Sequence, residues 1–415
     1  MSGSPRVLVI APHGSYRTSA FVAAAQRLGV QALIASEGRH SIVSDYARGL
    51  HVDFREPDAA LATLLDAARR DGGFRGVIGT DDSSVELAAE LARALDLPHN
   101  PPAAVRLSRR KDLARECLRT AGVRVPAFVR HRFGAPRPEV PGFPLVIKPV
   151  GLSGSRGVIR VDDEAQLNAA LKRVAAIAAR AGHPDPEVAR LCLLETFVPG
   201  PEVAVEGMLH HGKLQILTVF DKPDPLDGPF FEETYYTTPS RHPPAVLEAL
   251  HAEVQAACRA FGLVEGPVHA ECRINAEGVW IIELASRTIG GLCGRLLRFG
   301  TGHSLEELVL AQAMGGRLPV IPAEGGAGVL MIPIPRAGIL KRVEGLLAAR
   351  RVPGIESIEI QIREGHELVP LPEGSSYLGF IFARGDDPAA AEAALRAAHG
   401  HLDIVVAPLW KAAVA

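Results

Sequence analysis

The sequence predicts a protein of mixed α/β and α+β class. It opens on a doubly wound α/β domain and closes on a small α+β unit. Three observations predict this. Twice within the first hundred residues the chain runs buried-type strand, polar loop, amphipathic helix. From Phe143 the texture turns β-rich, with short apolar runs split by Gly/Ser and Pro/Gly turns. From about Gly325 three strands, one helix and a last strand follow. At 415 residues the chain is long enough for about two to four domains.

Composition excludes several classes. Hydrophobic residues make up 47% and charged residues 22%, so a sizeable core is expected. A formal charge of -2 leaves no basic excess to neutralise phosphate backbones, and aromatics are scarce, so no nucleic-acid partner is expected. The five cysteines are scattered and form no C-x-x-C pair, which suits reduced, mostly buried thiols in a cytoplasmic protein. No charged and then apolar leader opens the chain. No apolar run approaches about 18 residues, so no membrane partner is expected.

The elements follow in order. "RVLVIAP" (Arg6–Pro12) is a buried strand, a polar loop "HGSYRTS" follows, a helix runs from about Ser19 to Leu28, and "VQALIAS" is the next strand. The loop lacks G-x-G-x-x-G, so the dinucleotide fingerprint is absent. Phe74–Leu97 repeats the pattern. The Pro pair at 101–102 marks a boundary, and a helix from about Ser108 to Thr120 stops at Gly122. Then come "FPLVIKPV", the loop "GLSGSRG", "VIRV", a helix from about Glu164 to Ala181, and "RLCLLETFV". A hairpin turns at His211–Gly212. Helices are expected over about Ala245–Phe261 and Ser304–Met314. "DKPDPLDGPFFEE" is too short for a linker and is expected to be an ordered loop. No internal repeat is present.

The segment His269–Gly291 carries the sharpest signal. Asn275-Ala276-Glu277-Gly278 fits a type I turn. A three-residue loop closing on left-handed Gly278 pairs Asn275 with Val279. Arg273 then faces Ile281, and Glu271 faces Glu283 on the same face of the sheet. Like charges directly opposite destabilise a strand pair, so a divalent cation is the natural compensation. The competing arrangements are two solvated edge glutamates, or a two-residue turn that puts them on opposite faces.

Upstream residues bear on the choice. Lys148 lies in the apolar strand "LVIKP", and a buried ammonium needs an anion. The Gly/Ser-rich loop after it can lay backbone N–H groups over phosphates, although G-K-[ST] is missing. Lys111, on the preceding helix, reads by itself as a solvated face residue. Glu195 ends an apolar strand. Phe197 and Val198 can offer backbone groups and an apolar wall to a flat base, and Glu202 can accept from sugar hydroxyls.

Together these motifs resemble the ATP-grasp family. The matching elements are Lys111 in "SRRKDLARECLRTAGVRVP", Lys148 in "FPLVIKPVGLSGSRGV", "ETFVPGPE" from Glu195 to Glu202, Glu271 in "HAECRI", and Glu-x-x-x-Arg-x-x-Gly-Gly from Glu283 to Gly291. The resemblance covers about residues 1–320. It implies a pre-ATP-grasp domain over 1–105, a lid subdomain over 106–192, a large subdomain with the metal site over 193–320, and a C-terminal α+β domain over 321–415.

The resemblance also implies roles. Lys111 and Lys148 contact ATP phosphates beneath the lid residues Ser153, Gly154 and Ser155. Glu195, Phe197 and Val198 hold the adenine and Glu202 the ribose, with Lys222 near phosphate. Glu271 and Glu283 bind magnesium, two ions in all, with manganese as a substitute. Arg287 stabilises the transferring phosphoryl group and is the catalytic residue. Substrate contacts are expected from His13, Ser15, Asp81, His269, Gly290 and Gly291, with a satisfied structural histidine as the competing and favoured reading of His269.

One departure stands out: Ala285 occupies a position where many members carry a ligating Asn, so water or substrate must take its place. That pattern, with the tail "GILKRVEGL", "VPGIESIEI" and "YLGFIFARGDDP", is similar to the branch that ligates L-amino acids. The implied reaction joins a small-molecule carboxylate to an amine through an acylphosphate, releasing ADP and phosphate. The alternatives are transfer of the acylphosphate to another acceptor, as in carboxylases or purine-pathway ligases, and a nucleotide-binding regulator without turnover. A homodimer is the default assembly.

Overall fold

The computed structural model describes residues 5–37, 49–70, 72–297, 302–321 and 324–409. β1 (Arg6–Ile10), β2 (Gln31–Ser36), β3 (Gly49–His51) and β4 (Gly76–Gly79) form a parallel sheet in the order β3-β2-β1-β4. Val7 to Ile10 are wholly buried, as a parallel strand covered on both faces must be. Val7 and Val9 pack with Phe21 and Ala25 of α1 (Thr18–Arg27). Leu8 and Ile10 face the other way, toward Leu64 of α2 (Pro57–Arg70) and Leu91 of α3 (Val85–Ala94). The sequence patterns did not reveal α2 or β3.

Two helices stand where one was expected near residue 110. α4 (Pro102–Arg109) and α5 (Lys111–Thr120) break at Arg110, whose backbone is non-helical at φ -111° and ψ 89°. Their Ala104, Ala114 and Leu118 join the core of the large sheet, while Lys111 and Arg115 reach across to Leu152 and Glu195 of the lid. The lid is an antiparallel sheet of β5 (Phe128–Arg132), β6 (Leu145–Pro149), β7 (Ile159–Val161) and β8 (Leu191–Thr196), in the order β5-β8-β6-β7. α6 (Glu164–Ala181) covers it and starts as its sequence predicts: the Asp163 side chain accepts from the Gln166 N–H. The short α7 (Pro186–Ala189) leads into β8, and the expected boundary at 192 falls inside that strand.

The central sheet has eight strands. β9 (Glu202–His210), β10 (Lys213–Asp221) and β11 (Tyr235–Thr238) precede α8 (Pro244–Phe261), β12 (Gly266–Asn275) and β13 (Gly278–Ala285). α9 (Leu305–Ala313) opens with a reciprocal capping box between Ser304 and Glu307. The tail holds β14 (Gly326–Ile332), β15 (Gly338–Glu344), α10 (Leu346–Ala349), β16 (Ile355–Ile360), β17 (Glu367–Leu368), β18 (Gly379–Gly385), α11 (Pro388–Gly400) and β19 (Asp403–Ala407).

The order of the large sheet is β13-β12-β9-β10-β11-β14-β18-β16. The tail is therefore not a free-standing α+β unit. Three of its strands extend the large sheet, and only β15, β17 and β19 form a sheet of their own. The reason is visible in β14, whose seven residues are all buried, a pattern that demands neighbours on both edges and cover on both faces.

Alternation along the strands sorts the two faces of the large sheet. Val203, Val205, Val268, Ala270 and Cys272 pack against α5 and α8. The intervening residues Glu202, Glu206, His269, Glu271 and Arg273 point the other way. Within each strand these residues are an even number apart, and the β9–β12 register sets His269 opposite Glu206 and Arg273 opposite Glu202.

The β12–β13 hairpin corrects the expected turn. The ladder pairs Asn275 with Gly278, a two-residue loop, and so Arg273 faces Trp280 and Cys272 faces Ile281. The Asn275 side chain accepts from the Glu277 N–H, and Gly278 sits at φ 125°. Continued without a break, this register would set Glu271 opposite Ile282 and turn Glu283 to the wrong face. A bulge between Glu271 and Cys272 restores the pair: Glu271 faces Glu283, and His269 faces Ala285.

The extra residue in β13 is Ile282, and its carbonyl accepts from Arg115 Nη2 at 2.6 Å. A charged donor on α5 thus satisfies the backbone group that the bulge releases from the ladder. Among the described residues no helix is long and apolar enough to cross a membrane. All five cysteines are free, and four are buried.

Candidate active site

A cavity of about 670 Å³ opens where the N-terminal domain, the lid, the large sheet and the tail meet. Most of the expected residues line it: Lys111, Lys148, Ser153, Gly154, Ser155, Glu195, Phe197, Val198, Glu202, Glu271, Glu283, Arg287, Asp81, His269, Gly290 and Gly291. Three do not line it. His13 is exposed outside the cavity, Ser15 lies behind Asp81, and Lys222 is buried beneath the floor.

The lysine expected to find an anion in phosphate has one in the protein. Lys148 Nζ lies 2.8 Å from Glu195, which is also gripped by the Arg115 guanidinium at 2.6 and 3.2 Å. Both Glu195 oxygens are engaged, so its side chain acts as a brace that fixes Lys148 and Arg115. Arg115 was not singled out in the sequence, although the same guanidinium holds the hairpin bulge. Lys111 Nζ donates to the lid carbonyl of Leu152 at 2.7 Å and lies 3.5 Å from Glu283. It is therefore a cavity lysine and not a solvated face residue.

Burial opposes the Glu195 charge, but Arg115 and Lys148 overcome it and hold its pKa down to about 2, against 4.5 normally. The folded value is the lower one. The pair therefore stabilises the fold above pH 4.5 and loses that contribution as pH falls toward 2. The contribution is about 3 kcal/mol. Urea titrations between pH 6 and 3 should show this slope, and Glu195→Gln should start less stable and fall less steeply. An identical slope in the variant removes the assignment.

The floor is acidic. Glu202, Glu233 and Glu271 offer oxygens within 4.8 Å of one another, the spacing of a cation site. A cation already lies there: Lys222 Nζ sits 2.7 Å from Glu202, 2.7 Å from Glu233 and 3.2 Å from Glu271. Burial opposes its charge, and the three carboxylates raise its pKa well above the ordinary lysine value. Glu202 also accepts from Arg273 Nε at 2.9 Å.

Glu233 accepts hydrogen bonds from the Tyr236 hydroxyl at 2.7 Å and the Tyr377 hydroxyl at 3.2 Å. The sequence places Glu233 in a stretch, residues 221–240, expected to line the active site, but assigns it no role because the irregular loop has no period to read. Its neighbour Tyr377 comes from the tail. Through that residue, with Ser375, Ser376 and Phe380, the tail completes the cavity.

Glu271 and Glu283 fit the magnesium expectation. They are cross-strand partners facing one cavity. Glu271 spends only one oxygen on Lys222, and Glu283 makes no hydrogen bond among the described residues. Burial opposes the Glu283 charge, but Lys111 and Arg287 keep its pKa below the usual value. Carboxylate oxygens left uncommitted in a polar cavity are the donor set that magnesium takes.

Arg287 stands beside them. Its Nε donates to Asp82 at 2.8 Å and Nη1 to the Thr288 carbonyl at 3.0 Å. Burial opposes its charge, and Asp82 restores it and keeps the guanidinium protonated. Glu206, fully buried, accepts the Ile289 N–H on both oxygens at 3.1 and 3.2 Å and anchors the segment leading to Gly290. His269 Nδ1 lies 3.4 Å from Glu206 and is buried without a hydrogen bond.

The lid is latched from the tail. Gly157 donates its N–H to Pro372, Arg156 Nε donates to the Glu373 carbonyl at 2.9 Å, and Arg173 pairs with the Glu373 carboxylate at 2.6 Å. Left-handed backbone at Gly154, Ser155 and Gly157 bends the loop over the cavity. Such a cover excludes water and strengthens every charge beneath it.

Comparisons with known proteins identify the family. Residues 141–295 match the ATP-grasp domain, residues 22–99 the ATP-grasp N-terminal domain, and residues 330–407 the L-amino acid ligase C-terminal domain 2. The crystal structure of L-amino acid ligase from Bacillus licheniformis superposes with a TM-score of 0.82 at 25% identity, covering 98% of this chain and 100% of that one. Carnosine synthase 1 of Gallus gallus is 30% identical over 64% of this chain and 31% of its own length. Dapdiamide A synthase of Enterobacter agglomerans is 27% identical over 62% of this chain and 60% of its own. The chain thus spans less than two thirds of either of these two synthases.

By these matches the chain belongs to the ATP-grasp superfamily. Within it the chain falls in the L-amino acid ligase-like branch, and it is an ATP-dependent enzyme that forms C–N bonds.

Proposed function

We propose that the enzyme joins two amino-acid-like substrates into an amide. The carboxylate of the first attacks the terminal phosphate of ATP, giving an acylphosphate and ADP. The amine of the second attacks the acyl carbon, phosphate leaves, and the amine loses a proton as the amide forms. The observation that carries this reading is the convergence of Lys111, Lys148 and Arg287 with Glu271 and Glu283 in one covered cavity. Phosphoryl transfer needs positioning and charge neutralisation more than covalent help from the protein.

Within this reading Lys111 and Lys148 bind the phosphates, and Ser153, Gly154 and Ser155 close over them. Phe197 and Val198 wall the adenine, and Glu202 faces the ribose. Glu271 and Glu283 would hold two magnesium ions, which neutralise phosphate charge. Arg287 stabilises charge on the transferring group and on the tetrahedral intermediate. Lys222 organises the floor from beneath. The tail latch keeps water from the acylphosphate, as a lid should. Carboxylase-like transfer and an inactive regulator are not favoured, since the sequence relatives are amide-forming ligases.

The test is a phosphate-release screen of amino-acid pairs with mass detection of the product. A condensed product with stoichiometric phosphate supports the reading. Release without a condensed product, or none with any pair, overturns it. The reading includes a cytoplasmic homodimer, which light scattering of the purified protein checks for assembly.

A further inference from the structure

The reaction gives Arg287 a task but leaves a second cavity arginine without one. Asp81 and Asp82 stand side by side after β4, and each holds an arginine: Asp82 holds Arg287, and Asp81 holds Arg17. Asp81 is fully engaged. One oxygen accepts from Arg17 Nη1, and the other accepts from Ser15 at 2.6 Å and Thr80 at 2.5 Å. It has little left for a substrate and serves to orient Arg17.

Arg17 lines the cavity, and its side chain is only 11% exposed. Its Nε is buried without a partner, and Nη2 makes no hydrogen bond among the described residues. Nη2 and the Tyr16 phenol oxygen converge on one point. A β-carbon on Gly290 would lie 3.4 Å from each of them, and glycine leaves that space open. The Gly291 N–H donates to the Tyr16 oxygen at 2.9 Å, so the phenol proton remains available to donate. A guanidinium N–H and a phenol O–H aimed at one gap suit a carboxylate.

We infer that Arg17, assisted by Tyr16, binds the carboxylate of the amine substrate, so the acceptor is an amino acid with a free carboxyl group. This rests on the ligase reading above. The donor's reacting carboxylate is consumed when it is phosphorylated. When the donor reacts through its α-carboxylate, the α-carboxylate that persists is the acceptor's. Lys111, Lys148 and Arg287 already serve the reacting phosphate, which leaves Arg17 for the group that does not react.

Matched acceptors test this: an amino acid and its carboxamide, at saturating ATP and donor. The wild type should favour the acid by about 10²-fold in kcat/KM, the worth of a charged hydrogen-bonded pair. Arg17→Met should erase that preference through KM for the acid, with the carboxamide and the KM for ATP within about twofold. Tyr16→Phe should shift the preference in the same direction by a smaller factor, which keeps the test open if Arg17→Met folds poorly. A wild type indifferent to the carboxyl group, or variants that slow both acceptors equally, overturns the role of Arg17 and leaves the ligase reading intact. Absence of phosphate release from the wild type with every pair overturns both.

Discussion

Glu283→Gln is expected to cut phosphate release by more than about 10³-fold, with circular dichroism and melting temperature close to wild type. The substitution preserves shape and removes charge. Two carboxylates directly opposite on a sheet repel each other. Here each has a lysine near it, Lys222 beside Glu271 at 3.2 Å and Lys111 beside Glu283 at 3.5 Å. Those lysines reduce the repulsion but leave carboxylate oxygens free for an ion.

Glutamine offers one neutral oxygen and cannot neutralise a divalent cation. Loss of transition-state charge stabilisation should dominate, since a single oxyanion donor is already worth about 10²- to 10³-fold. Chelation of magnesium in the wild type should reproduce the loss, and added magnesium should reverse it. A Glu283→Gln rate equal to wild type removes Glu283 from the ion site.

Arg287→Ala is expected to lower kcat by roughly 10²- to 10³-fold while the KM for ATP changes by about twofold at most. Asp82 holds the guanidinium against the cavity wall before any substrate arrives. That preorganisation costs nothing during the reaction, and it serves charge that develops only in the transition state. The variant leaves Asp82 without its partner, so a stability measurement belongs beside the kinetics. ATP affinity falling in proportion to kcat would instead make Arg287 a ground-state ligand.

The tail shows where local patterns stop informing. Its strands were legible, and β14, β16 and β18 fall where apolar runs place them. Their membership in the large sheet was not, because pairing with β11 joins residues about ninety positions apart. The same applies to the cavity. Lys111, Lys148, Glu195, Glu271, Glu283 and Arg287 carry motif spacing and were found, whereas Arg115, Glu206, Glu233 and Tyr377 carry none. Arg17 and Ser15 show the intermediate case. Substrate contacts were expected from this loop through His13 and Ser15, but only the tertiary structure shows that Ser15 braces Asp81 while Arg17 points its free nitrogen at Gly290.

By itself the sequence determined which residues of one strand could share a face: alternation at a spacing of two puts His269, Glu271 and Arg273 together. It also determined the pairing of Glu271 with Glu283, though through a turn that the structure does not use. Only the tertiary structure decided how that pair survives a two-residue turn. The ladder gains one residue at Ile282, and the freed carbonyl is satisfied by Arg115 from 167 residues away. A bulge needs a partner for the backbone group it releases, and no local pattern can name a donor that distant.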